Sequence, residues 1–309
     1  MKTLKLSLLC FCCILIRCTQ TDLLDNPPKD KAEIFATGLV STPDKEHGKL
    51  SVAPDGKSMY WDFVKLPFKE GDVNKIAYVT KNNGKWGDRK IAEFCGKYRS
   101  CSPCFWGSDK IIFGKRENIG TDSVELVDDY WLIERQEGGW SEPKPLGFDQ
   151  FSDTWKWSFS VAENGNIYFD DQNFFEGQHN WGMYVSYFKS GKYSEPILLP
   201  EHLNTTDFDW TPFIAPDESY LMFASNRPSS MGSTDIYITF KNHSGEWSDP
   251  INMGDKVNSK ELERWPSVSP NGRIMFFLRD YLIDDQLQGQ DYYWIDAKFI
   301  EELKPDELK

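Results

Sequence analysis

The chain has 309 residues and a formal net charge of −13 at pH 7, with 48 acidic against 35 basic side chains. Because nucleic-acid-binding surfaces are strongly basic, this balance excludes DNA or RNA as an expected partner. The length is sufficient for one sizeable core without a second domain.

The N-terminus has the layout of an export signal. Two lysines precede an apolar run over residues 6–16, which is too short to span a membrane. The run ends at Cys18 and resembles a bacterial lipoprotein cleavage site, although Arg17 stands where a small residue is expected. We therefore expect residues 1–18 to be a signal peptide with Cys18 lipidated, and residues 19–31 to be a tether. Plain secretion is the alternative.

An aromatic phrase ending in Ser-Glu-Pro or a similar sequence recurs four times along the chain. Its steps are 54, 53 and 54 residues, since the aromatic side chains are Trp86, Trp140, Tyr193 and Trp247. A regular interval of this size indicates a modular array. We expect these four aromatic residues to pack between repeats.

A second motif, of the form strand, tight turn, strand, runs in phase with the first. Its five copies begin at Ser51, Cys104, Ser160, Phe213 and Ser267. Pro, Asp, Asn and Gly suit the turn, and β-branched and aromatic residues suit the flanking strands. With a third strand and the aromatic phrase, each repeat has four antiparallel strands, as is typical of a β-propeller blade.

The sequence therefore predicts an all-β fold, a five-bladed β-propeller over residues 32–300 with an acidic tail at 301–309. The segment Ile34–Gly38 matches the fourth-strand segment Pro250–Gly254 and is expected to complete the last blade. Such an N-terminal strand closes the ring and removes two exposed sheet edges. Six blades are the alternative if irregular strands lie within 113–129 or 280–290.

The repeat over residues 210–254 carries Phe213-Ile214-Ala215-Pro216-Asp217, then an aromatic strand ending at Arg227, then Asp235-Ile236-Tyr237 and Trp247-Ser248-Asp249-Pro250. With these motifs it resembles the WD40-like repeats of the TolB-type β-propellers. This resemblance implies the fold and export to the periplasm, or anchoring to the outer membrane through the lipid. Members of the family bind proteins or sugars, and a few related propellers are enzymes.

Three cysteines lie beyond the signal: Cys95, Cys101 and Cys104. An odd set in an oxidising compartment predicts one disulfide, from Cys95 to Cys101 or Cys104, and one spare thiol. Residues 101 and 104 are three apart on a strand and point to opposite faces, and the four histidines are scattered. We expect no metal and no cofactor.

Candidate ligand-binding residues share one ring face, because an innermost strand begins where the second strand of its blade ends. They are Trp157, Trp210, Asp170, Asp171, Arg227, Arg264 and Asp280. Indoles stack on sugar rings, and carboxylates and guanidinium groups bond hydroxyls or peptide backbone, so the face suits a glycan or a protein. The two tryptophans could equally be structural wedges, and Arg227 a structural ion pair.

The primary prediction is a non-catalytic, monomeric cell-envelope propeller that binds a protein partner or a glycan on this face. The alternative is a glycan-cleaving enzyme. Glycosidases need two carboxylates roughly 5 to 9 Å apart, and Asp209 and Glu263 occupy equivalent positions in adjacent repeats. Carboxylates facing an open, Trp-lined funnel would favour the enzyme, whereas Arg–carboxylate bridges would favour binding.

Overall fold

The computed structural model describes residues 22–43, 45–46, 48–64, 74–96, 99–118, 126–147, 158–171, 174–175, 178–179, 182–205, 208–283 and 286–309. These residues form five larger antiparallel sheets, one for each blade, and two two-stranded sheets within blade 3; this five-bladed β-propeller confirms the predicted fold and blade count. No helix in this part of the chain is long and apolar enough to cross a membrane.

The N-terminal strand and the first two blades comprise the first twelve strands of the described chain. The N-terminal strand and blade 1 comprise β1 (Glu33–Ile34), β2 (Lys45–Glu46), β3 (Ser51–Val52), β4 (Ser58–Val64), β5 (Lys75–Asn82), β6 (Lys85–Trp86) and β7 (Lys90–Ile91). A 3-10 turn at Glu93–Cys95 follows. Blade 2 comprises β8 (Arg99–Trp106), β9 (Lys110–Asn118), β10 (Leu126–Gln136), β11 (Gly139–Trp140) and β12 (Lys144–Pro145).

The remaining blades follow in chain order. Blade 3 comprises β13 (Phe159–Val161), β14 (Ile167–Asp171), β15 (Phe174–Phe175), β16 (Gln178–His179), β17 (Gly182–Ser186), β18 (Phe188–Lys189), β19 (Lys192–Tyr193) and β20 (Ile197–Leu198). Blade 4 comprises β21 (Asp209–Ile214), β22 (Tyr220–Ser225), β23 (Asp235–Phe240) and β24 (Ile251–Asn252). Blade 5 comprises β25 (Leu262–Val268), β26 (Ile274–Ile283) and β27 (Gln286–Asp296). The chain ends in 3-10 turns at Ala297–Phe299 and Asp306–Leu308, with a short helix α1 (Ile300–Leu303) between them.

The ring closes as predicted, through the N-terminal strand. β1 pairs antiparallel with β27, placing Glu33 opposite Trp294 and Ile34 opposite Tyr293. Phe35 continues the pairing, since its N–H donates to the Tyr292 carbonyl oxygen at 2.7 Å. The pairing is shorter than the predicted strand, whose last residues bend away through a turn.

The recurring aromatic residues pack between repeats, as predicted. They are Trp86, Trp140, Tyr193 and Trp247, and each packs against a different cluster of buried residues. The blades bury both faces of their central strands, so β14, β22 and β23 show no buried–exposed alternation. Burial between blades therefore holds the ring together.

The segment 22–31, predicted as part of a tether, lies against the ring. Asp22 accepts a hydrogen bond from the Trp86 indole N–H at 2.8 Å and forms an ion pair with Lys81. Pro28 accepts a hydrogen bond from the Asp296 N–H at 2.7 Å. The described part of this segment is thus fastened to blades 1 and 5. The predicted signal and Cys18 lie outside the described residues.

The predicted disulfide is wrong, because no disulfide joins Cys95 to Cys101 or Cys104 in the structure. Cys95 is buried between blades 1 and 2 and accepts a hydrogen bond from the Ile76 N–H at 3.4 Å. Cys104 instead lines the central channel, next to Lys49. The fold directs these two side chains into different compartments, which the short sequence spacing does not reveal.

Candidate functional site

The propeller has two distinct ring faces. We call the loop face the one on which inner strands begin and second strands end. On this face Asp209 stands opposite Ser225, and Glu263 stands opposite Arg279. The turn face is the opposite one, formed by the turns between the first and second strands, such as those at Pro54 and Pro216.

Three inner strands are bulged close to the loop face. The strand register shifts at Ser102, Thr211 and Trp265, whose φ angles are 51°, 51° and 56°. Positive φ is unfavourable for residues other than glycine, so these positions need external support. Each bulge N–H is bound by a side chain of the preceding blade: Ser102 by Asp62, Thr211 by Asp170, and Trp265 by the Thr211 hydroxyl.

Asp62 and Asp170 occupy equivalent positions in blades 1 and 3. The distance from the Asp62 carboxylate to the Ser102 nitrogen is 2.7 Å, as is that from Asp170 to Thr211. Asp170 also accepts hydrogen bonds from the N–H and hydroxyl of Ser158. Among the described residues, Asp62 Oδ2 has no hydrogen-bond partner.

Burial dominates the electrostatics of both carboxyl groups. Loss of hydration raises the pKa of Asp170 to about 6, against the opposing effect of its hydrogen bonds from Ser158 and Thr211. Burial likewise raises the pKa of Asp62 well above its ordinary value. Carboxyl groups that hold a proton near neutral pH can act as general acids.

Asp209 and Glu263, the predicted catalytic pair, each lie in a copy of one arrangement. Asp209 bonds Arg227 at 2.7 Å, and Glu263 bonds Arg279 at 2.6 Å. Each carboxylate also accepts the N–H and hydroxyl of a residue four positions earlier, Thr205 or Ser259. Both carboxylates are fully buried, and burial raises the pKa of Glu263.

The same two arginines bond the connections that lead into blades 4 and 5. Arg227 donates to the Leu203 carbonyl oxygen at 3.3 Å, and Arg279 to that of Val257 at 2.8 Å. We call these two sets the carboxylate–arginine locks: Leu203, Thr205, Asp209 and Arg227 in the first, and Val257, Ser259, Glu263 and Arg279 in the second. Their repetition at equivalent positions is what a structural role requires, and it assigns Arg227 to an ion pair.

A second group, the Trp210 cluster, comprises Asp170, Trp210, Thr211, Arg264 and Asp280. The Arg264 guanidinium lies 5.3 Å from the centre of the Trp210 ring and bonds Asp280 at 2.6 Å. Gln290 donates to the other oxygen of Asp280 at 2.6 Å. Trp210 is half-buried and precedes Thr211, whose N–H binds Asp170. A chain of contacts through Thr211, Trp210 and Arg264 therefore connects the carboxylates of Asp170 and Asp280.

The structure thus unites some of the predicted residues and separates others. It brings Asp170, Trp210, Arg264 and Asp280 together and places Arg227 in a lock. Asp171 is fully buried, as is its neighbour Asp170, but it is not part of the Trp210 cluster, and Trp157 lies outside the described residues. Asp62 and Gln290 were missed as site residues. Asp62 had a signal, its alignment with Asp170, whereas Gln290 lies on the third strand and carries no repeat signature.

No protein-family model and no curated protein matches the chain. Solved structures share its fold. An endo-arabinase from Bacteroides thetaiotaomicron VPI-5482 has a TM-score of 0.52 at 14% identity, covering 84% of this chain and 96% of that one. A thermostable family-43 glycoside hydrolase has a TM-score of 0.51 at 15% identity, covering 82% and 91%. A protein of unknown function from Dyadobacter fermentans DSM 18053 has a TM-score of 0.50 at 11% identity, covering 87% and 83%.

These comparisons correct two predictions. The TolB-type resemblance is wrong, because the similar solved propellers include glycoside hydrolases and no family model supports the repeat family. The main functional prediction, a non-catalytic binding propeller, is wrong on the same finding. The physical reason is that the Pro-Asp-Gly turn and the aromatic strand report how a blade is built. They carry no information about the ring face.

Proposed function

We propose that the protein cleaves glycosidic bonds of a polysaccharide at the loop face. The observation that carries the proposal is the Trp210 cluster. In it, Asp170 accepts the N–H of Thr211, next to Trp210. Asp280 pairs with Arg264, which lies over the half-buried Trp210 ring. Glycosidases work with one carboxylic acid and one carboxylate on either side of the scissile bond. The fold shared with an endo-arabinase and a family-43 glycoside hydrolase supports the same reaction class.

Asp170 is the proposed proton donor. Because burial raises its pKa to about 6, a substantial fraction of the acid is protonated in mildly acidic solution. Its proton would pass to the glycosidic oxygen as the bond to the leaving sugar breaks. The bulge N–H of Thr211 would then stabilise the carboxylate that remains.

Asp280 is the proposed partner carboxylate. Arg264 and Gln290 fix its orientation through one hydrogen bond to each oxygen. Trp210 supplies an apolar face for a sugar ring, and Arg264, stacked over that indole, can bond hydroxyl groups. Export through residues 1–18 remains part of the proposal, with an extracellular or periplasmic polysaccharide as substrate.

The test is the release of reducing sugar from a panel of polysaccharides that includes arabinan. We expect one substrate to be cleaved, with activity falling as pH rises through about 6, because the Asp170 acid loses its proton there. Asp170→Asn should lower kcat at least about 100-fold. Asp249→Asn, at an exposed position outside the cluster, is the matched control and should retain full activity.

Two results would contradict this proposal. One is the absence of sugar release from every substrate, and the other is an active, folded Asp170→Asn variant. Asp209→Asn and Glu263→Gln belong in the same assay. We expect both to lower thermal stability. Loss of activity at unchanged stability would instead assign catalysis to Asp209 and Glu263 in the locks rather than to the Trp210 cluster.

A further inference from the structure

The central channel holds a cavity toward the turn face, and its described lining includes no residue of the Trp210 cluster or of the two locks. Its volume is about 280 Å³, and the inner strands of all five blades line it. The walls are mainly apolar and include Val52, Val161, Phe213 and Val268. Exposed prolines of three turns and the half-buried Trp106 form its mouth.

One buried cation lines this cavity. The Lys49 side chain comes from blade 1, and the residue is only 3% exposed. Its Nζ lies 3.2 Å from the Phe159 carbonyl oxygen of blade 3 and 3.5 Å from the Cys104 sulfur of blade 2. One acceptor is a backbone carbonyl oxygen and the other is a cysteine sulfur. Within the described part of the chain, Lys49 forms no ion pair with a carboxylate.

An ammonium group has three donors, and a buried charge without a counter-ion is costly. The attraction of Lys49 lowers the pKa of Asp62, but burial of Asp62 is the larger effect and leaves that pKa well above its ordinary value. The described contacts of Lys49 thus supply no carboxylate counter-ion, and an anion that enters the cavity would neutralise its charge. Exposed Glu163 at the mouth disfavours a ligand with several negative charges.

We propose that this cavity binds a small organic monoanion, a carboxylate with a short apolar body. The carboxylate would pair with Lys49, and the apolar body would contact the valines and Phe213. The cavity is close to the lower limit of small-molecule sites, which admits a body of only a few carbon atoms. This site is separate from the loop face and does not depend on glycan cleavage.

Cys104 is a built-in reporter of the cavity, because its sulfur lies beside Lys49 Nζ. Iodoacetate and iodoacetamide alkylate a thiolate in the same way. Sulfur attacks the methylene carbon, the new S–C bond replaces the C–I bond, iodide leaves, and the thiol proton goes to buffer. The two probes differ in charge, so the ratio of their rates measures attraction of an anion to this site.

The experiment measures both alkylation rates at Cys104 by peptide mass spectrometry, with the unfolded protein as the reference. We expect the iodoacetate-to-iodoacetamide ratio in the folded protein to exceed that reference. Lys49→Met should lower the ratio about tenfold, as the loss of one close charge predicts. Lys57→Met, at an exposed turn lysine, is the matched control and should leave the ratio unchanged.

Butanoate at millimolar concentration should slow the iodoacetamide reaction at Cys104 in the parent protein and in Lys57→Met, but not in Lys49→Met. Met keeps the unbranched shape of the lysine stem, and replacing a buried charge by an apolar side chain does not by itself unfold a protein. A thermal melt checks that it has not. Any one of three results overturns the proposal: no labelling of folded Cys104 by either probe, a ratio unaffected by Lys49→Met, or no protection by butanoate.

Discussion

At the scale of single residues, burial decides the chemistry of the loop-face carboxyl groups. Asp170 receives three hydrogen bonds, each of which stabilises its ionised form, yet its pKa still rises to about 6. Loss of hydration is the larger effect and favours the protonated form. The proton that suits Asp170 for acid catalysis therefore also affects the stability of the folded protein.

This linkage gives a prediction about pH. The folded pKa of Asp170 exceeds its ordinary value of 3.8, so the folded state binds more protons than the unfolded state between pH 4 and 6. The contribution of Asp170 to the free energy of unfolding is then greatest below pH 4. It is lost as pH rises to about 6, a change of about 3 kcal/mol.

Asp170→Asn removes this titration. We expect the stability advantage of the parent over the variant to shrink by about 3 kcal/mol between pH 4 and pH 7. Urea unfolding of both proteins at the two pH values measures it. Asp249→Asn serves as the control, because its carboxyl group is exposed. An advantage that stays constant or grows would show that burial does not govern Asp170.

At the scale of elements, the carboxylate–arginine locks fasten the connections between blades. In the segment before β21, Thr205 and Leu203 are bonded to the Asp209–Arg227 pair. The segment before β25 repeats this arrangement with Ser259, Val257 and Glu263. The loss of hydration on burying two charges offsets much of their attraction. The ion pair of each lock therefore serves to orient the connecting segment more than to stabilise the fold.

Replacing one partner of a lock's ion pair should lower the free energy of unfolding more than replacing both partners. In Arg227→Met, Asp209 keeps a buried charge without its cation, and we expect stability to fall by about 3 to 5 kcal/mol. The double variant Asp209→Asn with Arg227→Met leaves no charge and should recover part of that loss. Denaturant unfolding measures both proteins. A double variant that is folded but inactive would instead give Asp209 a role in the reaction.

The sequence predicted elements better than it predicted contacts. The turn motif and the aromatic phrase specify strands locally, so the blades and the packing of Trp86 or Trp247 followed from their spacing. The partners of Asp170 and Asp62 are bulge residues in the next blade, Thr211 and Ser102. Both have positive φ but neither is a glycine, so the sequence gives no sign of the bulges. Contacts between blades depend on register, and a single sequence does not reveal register.

At the scale of the whole molecule, the ring depends on a contact between the two ends of the chain. β1 completes blade 5, and the neighbouring Phe35 is 1% exposed. Its ring packs edge-on against Phe276 at 4.9 Å and lies 5.3 Å from the Trp294 ring. The Ser41 hydroxyl donates to the Tyr292 carbonyl oxygen and accepts from the Tyr292 N–H, which fixes the same seam.

The two neighbours Ile34 and Phe35 provide a matched test of this closure. Phe35→Ala leaves a cavity between the terminal strand and blade 5, and we expect it to lower the free energy of unfolding by about 3 to 5 kcal/mol. Ile34 is 41% exposed on the outer side of the same pairing, so Ile34→Ala should cost less than about 1 kcal/mol. Thermal and denaturant unfolding compare the two variants. Equal effects would mean that the ring closes through backbone pairing alone, and negligible effects of both would mean that the ring does not need its N-terminal strand.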